Sequence, residues 1–192
     1  MVSQTDQQLV TQFLEGNTKA FRHLTERYQQ KVFTICMGFT HDKDEANDVS
    51  QEIFIEVFRS LPKFRGQSSF STWLYRIAVS KSMKFVQRDR FRKFKMSLDI
   101  LSDHTSFEQS DKGNLTDDRI NRQETKKMLK KALAALPKKQ RIAFILNKYK
   151  ELTNKEISEI MILPTASVDT LIYRARKNMK QYLIKYGENY GM

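Results

Sequence analysis

The sequence predicts an all-α protein made of two small helical domains joined by a flexible linker. Its 192 residues include only 6 glycines and 3 prolines, too few for a fold built on many tight turns. Apolar residues recur at helical spacing in both halves of the chain, and a polar segment without such spacing separates the halves. We therefore expect one domain over residues 1–96, a linker over 97–121 and a second domain over 122–192.

Four helices are predicted in the first domain. Thr5 and Gln8 have the spacing of a capping box and begin a short helix that ends before Gly16. Apolar stripes predict a second and a third helix, and Pro62 stops the third. The stripes consist of Ala20, Leu24, Tyr28, Val32, Ile35 and Phe39, then Ala46, Val49, Ile53, Val57 and Leu61. A fourth helix follows the polar loop 63–69 and becomes strongly basic at its far end.

The charge changes sign along the chain, whose formal net charge is +12. Residues 1–96 carry 16 basic and 10 acidic side chains, residues 97–124 carry 3 and 7, and residues 125–192 carry 15 and 5. A basic surplus of this size favours a polyanionic partner. The acidic stretch between the two basic blocks is rich in Ser, Asp, Thr and Asn, which is typical of a flexible linker.

Four further helices are predicted after the linker. The first covers residues 120–136 and the second covers 138–150. Thr153 and Glu156 have the spacing of another capping box, which begins the third helix. A short turn leads to the last helix, for which Thr165 can serve as the N-cap.

The last two predicted helices form a helix-turn-helix motif, in which the second helix enters the major groove of DNA. Arg and Lys on such a helix can neutralise phosphates or read guanine. The alternative is an amphipathic hairpin of a helical bundle with a solvated basic face. The candidate contacts on the last helix are Thr165, Ser167, Asp169, Thr170, Tyr173, Arg174, Arg176 and Lys177.

The third predicted helix carries an acidic face, formed by Asp44, Glu45, Asp48, Glu52 and Glu56. Because DNA phosphates would repel this face, it suits a protein surface better. Gln51, Phe54, Ile55 and Phe58 lie beside it and look exposed. The alternative, which the pattern alone favours, is a solvated helix with a wide apolar face.

The segment 64–78 mixes aromatic, hydroxyl and cationic side chains, a combination that can hold unpaired bases. Phe70, Trp73 and Tyr75 are candidate stacking residues. For Phe70 and Trp73 a core role is the alternative, because their spacing with Ile77 also fits an apolar stripe. The hydroxyl and Arg positions are the better candidates for nucleic-acid contacts.

The sequence contains no recognisable catalytic motif. His23, His41 and His104 are scattered, and none has metal-ligand spacing with Cys36 or another His. We find no Gly-rich phosphate loop and no nucleophile elbow, so we expect neither catalysis nor a cofactor. The chain has no apolar run of membrane-spanning length and begins with a polar segment. We therefore expect a cytoplasmic protein without membrane insertion.

The chain resembles bacterial RNA polymerase sigma factors, most closely the compact extracytoplasmic-function (ECF) group. The resemblance rests on three motifs in order: DVSQEIFIEVFRSLPKFRG, then SSFSTWLYRIA, then ALAALPKKQRIAFILNKYKELTNKEISEIM followed by VDTLIYRARKNM. It spans roughly residues 20–88 and 132–183. It implies a factor that directs RNA polymerase to promoters and helps to melt them. The implied partners are the polymerase core, promoter DNA and an anti-sigma protein.

The resemblance also implies a role for each motif. The acidic helix would dock on the coiled-coil clamp helices of the polymerase large subunit through Asp48, Gln51, Glu52, Phe54, Ile55 and Phe58. The minus-ten promoter element would be melted and read by Arg65, Ser68, Ser69, Ser71, Thr72, Trp73, Tyr75, Arg76, Ser80, Lys81, Lys84 and Arg88. The helix-turn-helix domain would read the minus-thirty-five element, with Lys139, Arg141 and Lys155 joining the contacts on the last helix.

Some positions depart from the pattern of the group. Ser80 and Lys84 stand where Asn and Asp are frequent, and Asp169 and Leu171 stand where Lys and Arg are frequent on the recognition helix. The turn has Ile162 in place of the usual Gly. These differences leave the promoter sequence open. A helix-turn-helix repressor that binds duplex DNA alone is the rival interpretation, against which the acidic helix and the FSTWLYRIA segment argue.

Overall fold

The computed structural model describes the backbone of residues 4–102, 117–148 and 152–190. Side-chain positions are described for residues 4–89, 91, 125, 127–148 and 152–186. These ranges contain helices and no strand, which confirms the predicted all-α class. None of the helices described is both long and apolar enough to cross a membrane. The α-helices are α1 (Asp6–Leu14), α2 (Thr18–Thr40), α3 (Lys43–Ser60), α4 (Phe70–Ser102), α5 (Asp117–Ala135), α6 (Lys138–Lys148), α7 (Asn154–Met161) and α8 (Thr165–Tyr190), with a short 3-10 helix at Leu61–Lys63.

Side-chain caps begin several of the helices, among them α1, α3 and α7. Thr5 and Gln8 form the predicted capping box of α1, and Thr153 and Glu156 form that of α7. Asp42 caps α3, where its Oδ1 accepts two backbone N–H groups at 3.0 Å. These acceptors satisfy donors that have no partner within the first turn. Both predicted capping boxes are therefore confirmed.

The N-terminal domain is a bundle in which α2 packs against α1, α3 and α4. Every residue of the two predicted apolar stripes is buried. The inner face of α4 completes the core with Phe70, Leu74, Tyr75, Ala78, Val79 and Met83. Each large apolar side chain buried in this way contributes about 1.5–3 kcal/mol. The packing fixes α3 and α4 as neighbouring helices, each with an outer face left over for other contacts.

The predicted linker is helical at both ends. Helix α4 continues to Ser102 and α5 begins at Asp117, so the helices extend into the segment 97–121 from either side. The central part, 103–116, lies outside the described residues, and its flexibility stays a prediction. Residues 149–151, which include the predicted end of α6, also lie outside the described residues.

The C-terminal domain is built by α6, α7 and α8, with α5 packed against α8. Its buried positions include Ile157, Ile160, Val168 and Ile172 at the crossing of α7 and α8. The turn between these helices places Ile162 in the left-handed region, with φ +55°. Thr165 is the first residue of α8, and its hydroxyl lies 3.4 Å from the Ser158 hydroxyl. The predicted motif is present, although Thr165 begins the helix instead of preceding it as a cap.

The two domains pack against each other, which the sequence did not predict. Helix α7 lies on α4 and α6 lies on α2, so that apolar residues of both domains form one cluster. Arg141 of α6 is buried in this contact, with its Nη2 3.3 Å from the Met83 sulfur. His41, at the end of α2, is half-buried nearby. Its burial, together with cations that include Lys130, lowers its pKa to about 4, so His41 adds no charge here at neutral pH.

Replacing Ile162 with Gly tests the strain in the turn. The left-handed region costs an L-residue about 1–2 kcal/mol, and a β-branched side chain is especially unsuited to it. Ile162 is 75% exposed, so its removal loses little packing, although Gly gains freedom in the unfolded chain. We expect Ile162→Gly to raise the free energy of unfolding by roughly 0.5–1 kcal/mol, measured by denaturant titration. Ile162→Val keeps the strain and should change little. A less stable glycine variant would contradict the interpretation.

Candidate nucleic-acid interface

The outer face of α3 combines acidic and apolar side chains. Five of the six predicted docking residues are exposed there: Asp48, Gln51, Glu52, Ile55 and Phe58. Phe54 is half-buried and packs against the core. Ile55 is 52% exposed and Phe58 42% exposed, one helical turn apart. Large apolar side chains left exposed together on a helix are typical of a protein-docking surface.

Two aromatic rings hold Phe58 in place. Its ring centroid lies 5.2 Å from that of Phe13 in α1 and 5.1 Å from that of Phe21 in α2, both in edge-to-face geometry. Leu14, next to Phe13, is 51% exposed. The end of α1 therefore adds apolar surface close to the face of α3. Sequence reasoning missed this addition because the helical pattern of α1 does not say where α1 packs.

An ion pair connects α3 to α4. Lys81 Nζ lies 3.0 Å from Glu56 Oε2, and this hydrogen bond with its charge lowers the pKa of the Glu56 carboxyl. Both side chains are accessible to solvent, so the pair adds little to stability. It does direct Lys81, a predicted DNA contact, towards α3.

The predicted hydroxyl contacts form a network at the start of α4. The Ser69 carbonyl accepts the Trp73 N–H at 3.1 Å, and its Oγ accepts the Thr72 N–H at 3.1 Å. The Ser69 hydroxyl also donates to Thr72 Oγ1 at 2.8 Å and lies 3.0 Å from the Ser71 hydroxyl. Ser69 is thus the N-cap of α4. The loop before it leaves Arg65 exposed.

The aromatic side chains of this segment belong mainly to the core. The Phe70 ring lies 5.6 Å from Tyr28, and the Tyr75 ring lies 6.1 Å from Tyr28. Trp73 is half-buried, 5.1 Å from the Phe64 ring. Phe70 is therefore a core residue, which was the alternative prediction for it. Tyr75 is a core residue as well, and its ring is not presented to DNA. Tyr75 was missed as a core residue because its neighbour Tyr28 is distant in sequence.

Further along, the outer face of α4 is open and basic. Ser80, Lys84 and Arg88 are exposed at intervals of four residues, which places them on one face. Arg88 lies 5.9 Å above the Phe85 ring, so its guanidinium is also oriented by an aromatic contact. This face can bind a nucleic-acid strand.

The first turns of the same helix are covered by α7. Thr72 Oγ1 donates to Glu159 Oε2 at 3.3 Å, and Arg76 Nη2 donates to the Glu159 carbonyl at 2.8 Å. Thr72 is buried and Arg76 is half-buried, with no hydrogen-bond partner for Arg76 Nε. Two predicted minus-ten contacts are therefore occupied by the C-terminal domain.

The helix-turn-helix presents most of its predicted contacts to solvent. The exposed ones are Lys139, Lys155, Thr165, Asp169, Thr170, Tyr173, Arg174, Arg176 and Lys177. Ser167 is half-buried. Arg141 is the departure from the prediction, because it is buried between the domains and does not reach the surface of α8. A charged side chain is usually exposed, which is why Arg141 was predicted to contact DNA. It lies instead on the inner side of α6, where it packs against Met83.

A chain of side-chain hydrogen bonds links the three helices of this motif. Arg176 Nη2 donates to Asn147 Oδ1 at 2.9 Å, and Asn147 Nδ2 donates to Asn154 Oδ1 at 3.4 Å. Asn154 Nδ2 donates to Asp169 Oδ1 at 2.6 Å. Asp169, which broke the expected cationic pattern, therefore has a partner within the protein. Sequence reasoning missed Asn147 and Asn154, whose roles depend on how the helices cross.

The described part of the chain holds no group of three His, Cys, Asp or Glu residues that could bind a metal. It instead presents an outward basic helix on one bundle and a helix-turn-helix with an exposed cationic helix on another. These features are typical of a helical DNA-binding protein and give it two candidate reading elements.

Comparisons with known proteins agree with this class. Residues 24–92 match the family described as Sigma-70 region 2, and residues 126–179 match Sigma-70, region 4. The RNA polymerase sigma-H factor of Pseudomonas aeruginosa is 32% identical over 188 residues, covering 95% of this chain and 96% of that protein. The ECF RNA polymerase sigma-E factor of Escherichia coli K12 is 34% identical over 191 residues, covering 94% and 97%. The structure of CnrH in complex with the cytosolic domain of CnrY shares the fold, with a TM-score of 0.66 and 21% identity over 94% of this chain and 97% of that one.

The chain therefore belongs to the ECF subfamily of bacterial RNA polymerase sigma factors. It is a transcription initiation factor that directs the polymerase to specific promoters and assists their melting. The predicted family is confirmed. The matched ranges include both candidate reading elements, the basic face of α4 and the helix-turn-helix.

A double-mutant cycle tests the pairing of Asn154 with Asp169. If Asp169 serves mainly to hold Asn154, the variants Asn154→Ala and Asp169→Ala lose the same hydrogen bond. We expect a coupling of about 1 kcal/mol in the free energy of unfolding, as for a hydrogen bond near the surface. The four proteins of the cycle are compared by denaturant titration. Additive effects would show that the pair does not support the motif.

Proposed function

We propose that three surfaces divide the work of initiation in this sigma factor. The outer face of α3 docks on RNA polymerase, the outer face of α4 reads and opens the minus-ten element, and α8 reads the minus-thirty-five element. The observation that carries this division is the separation of one acidic, apolar face from two basic helical faces on the same chain. Run-off transcription with core polymerase on a genomic library tests it and identifies the promoter.

The proposed polymerase contact is the surface formed by Asp48, Gln51, Glu52, Phe54, Ile55 and Phe58. Its partner would be the coiled-coil clamp helices of the large subunit. Ile55 and Phe58, the exposed apolar pair, provide most of the binding energy of this contact. The acidic side chains orient the partner and repel DNA. Half-buried Phe54 shapes the surface from below more than it touches the partner.

The proposed minus-ten contact begins at the loop before α4 and continues along the helix. Its accessible members are Arg65, Ser68, Ser69, Ser71, Trp73, Ser80, Lys84 and Arg88, with Lys81 beside them. Cations there would track the phosphates, and the hydroxyls and the edge of Trp73 would contact an unstacked base. Opening the duplex costs roughly 1–2 kcal/mol per stacked step, which such captured bases help to offset.

The proposed minus-thirty-five contact is made by α8. Thr165 and Thr170 are exposed on its early turns, where base edges are reached. Tyr173 follows on the same helix, and Arg174, Arg176 and Lys177 bind phosphates. Two modest readers on one chain gain affinity from their effective concentration. If the domains end at residue 96 and begin again after residue 121, the linker between the two reading domains would cross the surface of the polymerase.

The factor is further proposed to act without catalysis or cofactor, in the cytoplasm, where its polymerase resides. An anti-sigma protein is a proposed partner, supported by the solved complex of the similarly folded CnrH with the cytosolic domain of CnrY. The sequence of the chain does not identify which anti-sigma protein this partner is.

The docking surface is tested by Ile55→Glu. A charge at the centre of an apolar contact next to existing carboxylates should weaken binding to core polymerase by tenfold or more, about 1.4 kcal/mol. Ile184→Glu, at a position of α8 that is 51% exposed, introduces the same change outside the proposed surface. Affinity is measured by competition with a labelled sigma factor. Equal losses in the two variants would remove α3 from the proposed contact.

The phosphate contacts of α8 are tested by Arg174→Ala and Lys177→Ala in the holoenzyme. Each should weaken promoter binding at every sequence tested and reduce the salt dependence of log K by about one unit. Arg22→Ala removes an exposed cation of α2 and should leave the slope unchanged. An unchanged slope in the two α8 variants would contradict the assignment.

A further inference from the structure

Helix α4 carries a large aromatic side chain on its outer face. The Phe91 ring is 70% exposed, whereas the other α4 rings whose positions are described are buried or half-buried. At about 100° of rotation per residue, positions 80, 84, 88 and 91 lie within about 80° of one another around the helix axis. Phe91 therefore lies on the same face as Ser80, Lys84 and Arg88, which belong to the proposed minus-ten contact.

The sequence around this ring is strongly basic. Five of the eight residues 88–95 are Lys or Arg, and Asp89 is the one acidic residue among them. Asp89 is half-buried and lines a groove with Phe39 of α2, on the side of α4 opposite to Ser80. Protein-docking surfaces are depleted of charge at their centre, whereas cations beside an exposed ring are typical of a surface that binds nucleic acid.

Arg88 is held one step before the ring. Its guanidinium lies 5.9 Å from the centre of the Phe85 ring, which orients it on the outer face. The rise from Arg88 to Phe91 is about 4.5 Å, close to the roughly 3.4 Å between nucleotides of a stacked strand. A phosphate bound by Arg88 therefore brings a neighbouring base within reach of Phe91.

We propose that Phe91 stacks on a nucleobase of promoter DNA, next to the phosphate that Arg88 binds. This inference rests on the proposed role of α4 in reading the promoter. Every base has an aromatic face, so the contact adds affinity with little dependence on sequence. An unpaired base offers this face directly, and a paired base offers it where an apolar ring enters between two base steps.

Phe91→Ala tests the proposal in the assembled holoenzyme. Because the ring is 70% exposed, its removal should leave the fold intact. The probe is a fluorescein-labelled promoter fragment selected by run-off transcription from the genomic library. We expect the variant to bind this fragment about tenfold more weakly, the loss that one stacked base accounts for. Phe91→Trp keeps a stacking ring and should bind about as tightly as the unchanged chain.

Ile184→Ala is the matched control, because it removes an apolar side chain of α8 that is 51% exposed. It should leave the affinity for the promoter unchanged. Normal binding by Phe91→Ala, or an equal loss in the control, would overturn the proposal. Affinity for core polymerase is measured in parallel by competition with a labelled sigma factor. A loss in that affinity would assign the ring to the polymerase and would also overturn the proposal.

A double-mutant cycle with the DNA locates the base. Ser80 and Phe91 lie about 16 Å apart along α4, which corresponds to about five nucleotides. Single abasic nucleotides are therefore placed over that distance on both sides of the nucleotide that crosslinks to a photoreactive residue at Ser80. One abasic position should remove the difference in affinity between Phe91→Ala and the unchanged chain. If no position removes it, the ring contacts no base and the proposal is wrong.

A shortened probe distinguishes the two sources of the base. The complementary strand is cut back so that the located base has no pairing partner. Full affinity for this probe would show that Phe91 stacks on an unpaired base. A loss of affinity would show that the ring enters between paired bases. Stacking by Phe91 is supported in either case, because the abasic position has already located the contact.

The double variant Lys84→Ala, Arg88→Ala separates this inference from the function on which it rests. If α4 reads the promoter, the double variant should bind the promoter fragment weakly, whichever residue stands at position 91. Normal binding by the double variant would refute the proposed role of α4. Weak binding by the double variant together with normal binding by Phe91→Ala would refute only the stacking by Phe91.

Discussion

The structure depends on a single constraint: α4 buries its inner side in the core, and its outer side stays available for other contacts. Its inner side carries Leu74, Ala78 and Met83 into the core of the N-terminal bundle. This burial fixes the rotation of the helix, and rotation decides which polar residues face outward. Ser80, Lys84 and Arg88 are exposed for that reason, and Thr72 and Arg76 lie at the edge that α7 covers. Core packing and the proposed promoter reading therefore depend on the same helix.

Sequence patterns predicted the parts of the fold that depend on neighbours along the chain. The two capping boxes are local hydrogen bonds, and the stripes of α2 and α3 are helical periodicities, so both could be read before the structure was known. The family followed from the order of three motifs. The exposed faces of α3 and α8 agreed with prediction because charged residues on a helix are seldom buried.

Contacts between distant segments could not be predicted in this way. Tyr75 has a hydroxyl beside cationic neighbours and suggested a base contact, yet its ring packs on Tyr28, 47 positions earlier. Arg141 suggested a phosphate contact, yet it is buried against Met83. Asp169 stands where a cation is frequent in the family, yet it accepts a hydrogen bond from Asn154. In each case the way the helices cross determines the partner. The spacing of residues along the sequence carries no information about these crossings.

We propose that α4 and α8 read one promoter together when the chain is bound to the polymerase. A photo-crosslinking residue placed at Ser80 in one protein and at Tyr173 in another tests this most directly. With core polymerase and promoter, the first should crosslink to the minus-ten strand and the second to the minus-thirty-five duplex, and both signals should fall strongly without polymerase. Crosslinks from both positions to one element, or equal yields without polymerase, would contradict the account.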